Sequence, residues 1–321
     1  VILKERKGNQ RMEAVLQIKN LTKYFGHKKV VDGVDLEAYR GEVFGFLGPN
    51  GAGKTTTIKM IMSLLQRDEG EIYINGYSID KNFEKAMAKV GGIVENPETY
   101  THLTGLENLQ QYARMRDGVT RERIDEVVRM VGLENRIHDK VKKYSLGMKQ
   151  RLGVAQSIMH HPDLLVLDEP TNGLDPAGIK ELRDILKHLA HEENICVMVS
   201  SHLLSEMQLM CDRVGIIVNG KIIDVKGIDD LVRESEGNHF VYHIKVLENL
   251  EQAMSLIDDK EISEVSQDTF AVTLDDERAV ADIVTRLVLN QVKVLGVTAI
   301  KRNLEDIFIE LTGSGGGMQI D

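Results

Sequence analysis

The stretch GPNGAGKTT, Gly48–Thr56, carries residue types that recognise polyphosphate. It fits the pattern G-x-x-x-x-G-K-S/T. It also follows the strand-like VFGFL and opens the helix-like KTTTIKMIMSLL, the setting that pattern requires. Glycines let backbone N–H groups wrap a phosphate, and a helix N-terminus adds positive dipole. Asn50, Gly51, Ala52, Gly53 and Thr56 would line the cradle. Lys54 would meet the β- and γ-phosphates, and the Thr55 hydroxyl would ligate Mg2+. A second half-site is LLVLDE, Leu164–Glu169, an apolar strand delivering Asp168 to the carboxyl edge of a sheet, where ligands bind in open α/β folds. There Asp168 would hold Mg2+ through water, and Glu169 would polarise the attacking water as general base. A chance Gly-rich turn and a solvated Asp-Glu pair are the plain alternatives; both halves in one chain favour a nucleoside triphosphatase. The absence of an N-K-x-D guanine-reading motif disfavours GTP.

These residues need elements to position them. VLQIKN, VDLEA and EVFGFLG read as short strands bounded by Gly and charge, and EIYINGY as another with period-two alternation. Leu103–Leu146 is dominated by helical spacing. DLLVLDE and NICVMVSSH read as buried strands of a parallel sheet, with a helix around Ala177–His191 between them. RVGIIVNGKIIDV reads as a hairpin turning on Asn219-Gly220. Beyond it the rhythm changes. Phe240–Val246, Ile262–Val265, Phe270–Leu274 and Val292–Ile300 read as strands, with helices at Glu248–Ile257 and Glu277–Leu289. That order is the split βαβ pattern. Asn303–Leu311 reads as a final amphipathic helix.

The chain has 321 residues, 42% hydrophobic and 28% charged, enough for two domains with separate cores. No apolar run approaches the roughly 20 residues of a membrane-spanning helix. The opening VILKERKGNQR lacks the apolar region of a signal peptide. Val1–Arg11, ahead of Met12, is read as an upstream extension. The two cysteines, Cys196 and Cys211, make no disulfide framework and fit a reducing compartment. The net charge of −10 lies wholly in residues 226–321, which hold 9 basic and 19 acidic side chains. That argues against a nucleic-acid partner.

In order, the motifs resemble the nucleotide-binding subunits of ABC transporters over about Val15–Val225. TNGLDP, Thr171–Pro176, is similar to that family's D-loop, with Asp175 its acidic residue. VSSH, Val199–His202, resembles the switch-histidine loop, which implies that His202 reaches the γ-phosphate. YSLGM, Tyr144–Met148, takes the slot of L-S-G-G-Q and aligns Ser145 and Gly147 with its Ser and second Gly. Leu146 and Met148 depart from that pattern. The resemblance implies that Ser145 and the Gly147 amide, at a helix N-terminus, face the γ-phosphate held by a partner subunit. Ser145 is at the same time an ordinary N-cap. KYFG offers Phe25, with Tyr24 beside it, for the family's adenine-stacking ring. Glu95 in GGIVENPETY takes the place of the Q-loop glutamine; a carboxylate there can ligate Mg2+ but cannot donate a hydrogen bond. Glu95, LTGLENL and KRNLEDIFIELTG resemble the branch of bacitracin- and lantibiotic-type exporters.

The resemblance implies an α/β fold: a P-loop NTPase (RecA-like) core with an antiparallel β subdomain and a helical subdomain at about 96–150. The expected boundaries are 12–225 for this domain, 226–312 for a ferredoxin-like accessory domain and 313–321 for a tail. It further implies an ATP-hydrolysing motor with ATP and Mg2+, working as a head-to-tail homodimer. A separate membrane permease, export of cargo and a cytoplasmic site at the inner face of the membrane follow from the same resemblance. The alternative is a soluble ABC ATPase acting on a macromolecular partner. A second cassette or a long coiled coil between the motifs would favour it, and the sequence has neither.

Overall fold

The computed structural model describes residues 14–231, 240–257, 262–266, 268–274, 276 and 278–300. The expected lead Val1–Arg11, the helix Asn303–Leu311 and the tail lie outside them. The chain divides into two compact units, Val1–Ile228 and Asp229–Asp321.

The first unit opens with two long strands, β1 (Ala14–Phe25) and β2 (Lys28–Tyr39), paired as an antiparallel hairpin with Phe25 opposite Lys28. Each is about twice as long as its sequence signal. Bulges between Ile18 and Leu21 and again near Lys23 break the strict alternation that period-two reading relies on. Next comes β3 (Val43–Leu47), all five residues buried, and after the phosphate loop α1 (Lys54–Ile61). β4 (Glu69–Ile74) and β5 (Tyr77–Ser78) complete a four-stranded sheet in the order β2-β1-β4-β5.

A short α2 (Phe83–Met87) leads into β6 (Val90–Ile93). Three helices follow, each started by a hydroxyl cap. Thr104 forms a full capping box with Glu107 ahead of α3 (Gly105–Ala113). Thr120 caps α4 (Arg121–Met130), and Ser145 caps α5 (Leu146–Ile158). The apolar β7 (Leu164–Leu167) is wholly buried. Asp175 caps α6 (Pro176–His191), with Pro176 in the first helical turn, where its missing N–H costs nothing. β8 (Cys196–Ser201) and α7 (Leu204–Met210) come next, then β9 (Arg213–Val218) and β10 (Lys221–Gly227), joined by Asn219 and Gly220 at φ 49° and 80°. Two positive φ values in a two-residue loop are the type I′ turn that the Asn-Gly pair signals.

The second sheet runs β10-β9-β3-β8-β7-β6. Its strands are parallel from β9 to β6, and only β10 is antiparallel. Both sheets share one apolar core with α1 between them, built on residues such as Leu16, Ile72, Phe44, Phe46, Ile58, Leu164 and Met198. Consequently the carboxyl ends of β3, β7 and β8 are neighbours, and the residues that follow them face one crevice.

The second unit holds β11 (Phe240–Val246), α8 (Leu250–Ser255), β12 (Ile262–Val265), β13 (Thr269–Leu274), α9 (Ala279–Leu289) and β14 (Val294–Ile300). Its sheet order is β12-β13-β11-β14 with every neighbour antiparallel. Tyr242, Ile244, Phe270, Val272 and Leu287 form its own core.

Candidate functional site

The phosphate loop is shaped by glycines that the fold itself demands. A Cβ on Gly48 would stand 2.4 Å from the Ile217 carbonyl oxygen, and Gly53 takes φ 107°, closed to L side chains. Gly53 also occupies the N-cap of α1 without any side-chain cap. That leaves the first-turn N–H groups and the positive dipole end directed at the loop interior. The Gly220 N–H donates to the Ala52 carbonyl at 3.0 Å, and the Asp32 N–H donates to the Gly220 carbonyl at 2.9 Å. The β9–β10 turn thereby joins the phosphate loop to the β1–β2 sheet.

Lys54, 5% exposed, curls back over this loop. Its Nζ donates to the Gly48 carbonyl at 2.7 Å and the Pro49 carbonyl at 3.2 Å, and lies 3.3 Å from Glu169 Oε1. Thr55 and Thr56 follow it on α1, both half-buried. Asp168 is buried at the end of β7. The Ser200 hydroxyl on β8 donates to Asp168 Oδ1 at 2.6 Å and in turn accepts the Glu169 N–H at 2.8 Å. Glu169 takes a left-handed φ of 46°, uncommon for a residue with a Cβ. That turn brings its carboxylate to three partners: Lys54, the Asn172 side-chain amide, and His202 Nδ1 at 3.2 Å. Burial alone would push the Glu169 carboxyl up. Lys54, the hydrogen bond from Asn172 and the nearby His202 together outweigh it, and hold the group below its ordinary range. Glu169 is therefore ionised at neutral pH and able to take a proton from water.

Glu95 lies two residues beyond β6, at φ 68°. Its carboxylate meets Lys59 of α1 at 2.7 Å, and that hydrogen bond holds its carboxyl below the ordinary value. Phe25, 51% exposed, ends β1 with Lys23 Nζ 5.8 Å from its ring centroid. Tyr24 is also exposed and is paired with Lys29. An exposed ring beside a cation offers a stacking face.

Ser145 and Asp175 are exposed and belong to a second surface. Ser145 Oγ accepts the Met148 N–H at 3.2 Å, and Asp175 Oδ1 accepts the Gly178 N–H at 3.1 Å, each capping its own helix. The two loops touch: a Cβ on Gly173 would stand 3.1 Å from a Leu146 methyl. A Cβ on Gly147 would meet nothing nearer than 3.8 Å, so this chain's packing does not require glycine there. Neither Ser145 nor Asp175 bonds to Lys54, Asp168, Glu169 or His202. Lys54, Asp168, Glu169 and His202 gather in one crevice, while Ser145, Gly147 and Asp175 form a separate outward face.

Sequence reasoning missed Ser200, Asn172 and Lys59. It also missed Glu206, whose carboxylate accepts from Thr171 at 2.6 Å and from Ser201 at 3.0 Å. A signal existed for Ser200 alone, as a hydroxyl inside the buried strand NICVMVSSH. Beside the second surface lies a groove of about 530 Å³, lined by Asn96–Thr101, Tyr112, Leu146 and Lys149.

Comparison with known proteins identifies the family of the chain. The ABC transporter family model matches residues 31–172. An uncharacterized ABC transporter ATP-binding protein of Bacillus subtilis (strain 168), YhcH, is 49% identical over 94% of this chain and 97% of its own length. The bacitracin transport ATP-binding protein BcrA of Bacillus licheniformis is 39% identical, with 95% of this chain and 99% of BcrA covered. The solved structure of an ATP binding subunit of an ABC transporter superposes with a TM-score of 0.60 at 31% identity, covering 68% of this chain and 92% of that one. The chain belongs to the ATP-binding subunits of ABC transporters, in the branch that includes the bacitracin transport protein.

Proposed function

We propose that the chain drives export through a separate membrane permease by closing and reopening a head-to-tail homodimer around ATP. As an ABC ATP-binding subunit it binds and hydrolyses ATP. The observation that carries the mechanism is the Glu169 carboxylate, kept ionised between Lys54, Asn172 and His202. In this reading the N–H groups of Asn50–Thr56 and the α1 dipole hold the β- and γ-phosphates, and Lys54 turns from its loop carbonyls toward them. Glu169 takes the proton of the attacking water. His202, already bonded to Glu169, positions the γ-phosphate. Phe25 stacks on the adenine.

The donor set fits Mg2+. Thr55, Asp168 and Glu95 offer oxygen atoms only, and Asp168 is polarised by Ser200. Among the described residues no group of three or more His, Cys, Asp or Glu could hold a metal ion. That suits a cation bound through one or two protein oxygens and the substrate's phosphates. Bound there, it would neutralise charge on the transferring phosphoryl group.

The outward face of Ser145, Gly147 and Asp175 supports a site completed by a second copy. Ser145 is exposed at the N-terminus of a 13-residue helix, and the glycine at 147 answers no need of its own chain. The groove between Asn96–Thr101 and α5 suits a cytoplasmic segment of the permease, with Tyr100 and Tyr112 as apolar anchors. No helix among the described residues is long and apolar enough to cross a membrane, and attachment to the inner face would come through that partner. The second unit reads as a ferredoxin-like accessory domain, supported by its strand order. Glu169→Gln is the test. Turnover should fall by about 10²–10⁴ while ATP binding persists and a dimer accumulates; unchanged hydrolysis would take the role of base from Glu169.

A further inference from the structure

Lys59 belongs to no motif, yet its Nζ lies 2.7 Å from Glu95 Oε1. It stands four residues after Thr55 on α1, and residues at that spacing share one helix face about 5–6 Å apart. Thr55 bears the hydroxyl assigned above to magnesium. Lys59, and the carboxylate paired with it, therefore share one face of α1 with Thr55. From the other side, β6 and β7 run parallel with Ile93 opposite Leu167, and the Asp168 N–H donates to the Ile93 carbonyl at 2.9 Å. Glu95, two residues past Ile93, thus leaves the sheet beside Asp168. Its left-handed φ of 68° fixes the direction of the backbone there. What stays free to move is the side chain: Glu95 is 63% exposed and Lys59 36%.

We infer that Lys59 is a positioning residue that holds Glu95 by its Oε1, so that Lys59 and the metal compete for the charge of one carboxylate. This rests on the reading of Glu95 as a metal-side residue. The chemistry is competition of two cations for one anion. A carboxylate that shares its charge with an ammonium at hydrogen-bond distance attracts a metal ion less strongly. A Gln in place of Glu95 would carry no charge for Lys59 to hold.

The test is Mn2+ titration of the full chain with a non-hydrolysable ATP analogue, followed by electron paramagnetic resonance. Since exposed ion pairs are weak, Lys59→Met should lower the half-saturating Mn2+ concentration about two- to five-fold. Lys59→Arg should keep the wild-type value. Glu95→Gln should raise it, and adding Lys59→Met to Glu95→Gln should change nothing further, because Lys59 acts through Glu95 alone. Two results overturn Lys59 while sparing the role of Glu95. One is Lys59→Met matching wild type while Glu95→Gln shifts; the other is Lys59→Met having the same effect with and without Glu95. A silent Glu95→Gln removes Glu95 from the metal, and the inference falls with it.

Discussion

The N-termini of α1 and α5 are built in opposite ways. At α1 the cap is Gly53 with no side chain, and the buried Lys54 with Asp168 and Glu169, which follow β7, completes the surroundings within the chain. At α5 the cap is the exposed Ser145, its hydroxyl already engaged by the Met148 N–H, with no acidic residue in the first turn. The first terminus is enclosed by strands β3, β7 and β8. The second faces outward. One chain thus carries an enclosed cluster of Lys54, Asp168, Glu169 and His202 and, elsewhere, an exposed helix N-terminus bonded to none of them.

That contrast can be broken by three substitutions of decreasing effect. Ser145→Arg, on the outward face, should lower turnover at least about ten-fold, since a long cation replaces a small hydroxyl where a partner must approach closely. Monomer ATP affinity, measured by fluorescence titration at low protein concentration, should not change. A collapse of monomer affinity would place Ser145 in the same-chain site and erase the distinction. Ser200→Ala acts on the enclosed side. It leaves the buried Asp168 carboxylate and the Glu169 N–H without their shared partner, costing about 1–3 kcal/mol. Chemical denaturation should show this loss equally at dilute and concentrated protein. Phe25→Ala should weaken monomer ATP binding by about 0.5–1.5 kcal/mol, the worth of one aromatic stacking contact. Its effect should persist where no dimer forms, the reverse of Ser145→Arg.

How much of this was legible in the sequence depended on whether a residue's reason lies along the chain or across it. The phosphate loop, the DE strand end and the cap Ser145 are local devices, readable from a few neighbouring letters. So was the Asn219-Gly220 turn. Ser200 and Lys59 serve partners far away in sequence; a hydroxyl inside a buried strand hints at the first, and nothing beside Lys59 announces the second. The strand β6, VGGI, has no alternation of apolar and polar residues to mark it in the sequence. Its glycines answer packing instead: a Cβ on Gly91 would sit 2.0 Å from the Ser157 carbonyl oxygen, where α5 lies against the sheet. The β1–β2 hairpin was shortened because its bulges break the alternation that marks a strand. In the second unit the strand and helix positions read from sequence match those observed to within a few residues.

The clasp at Gly220 has a consequence for which nucleotide fits. Its N–H fastens the backbone around the phosphate loop, and its carbonyl fastens Asp32 of the sheet that carries Phe25. A Cβ at this residue would stand 2.5 Å from the Val30 carbonyl oxygen, so no larger residue could take its place. The two ends of a bound nucleotide would then be gripped by parts of one stiff frame. With Phe25 on the adenine, as proposed, such a frame would work as a caliper for the span from base to terminal phosphate.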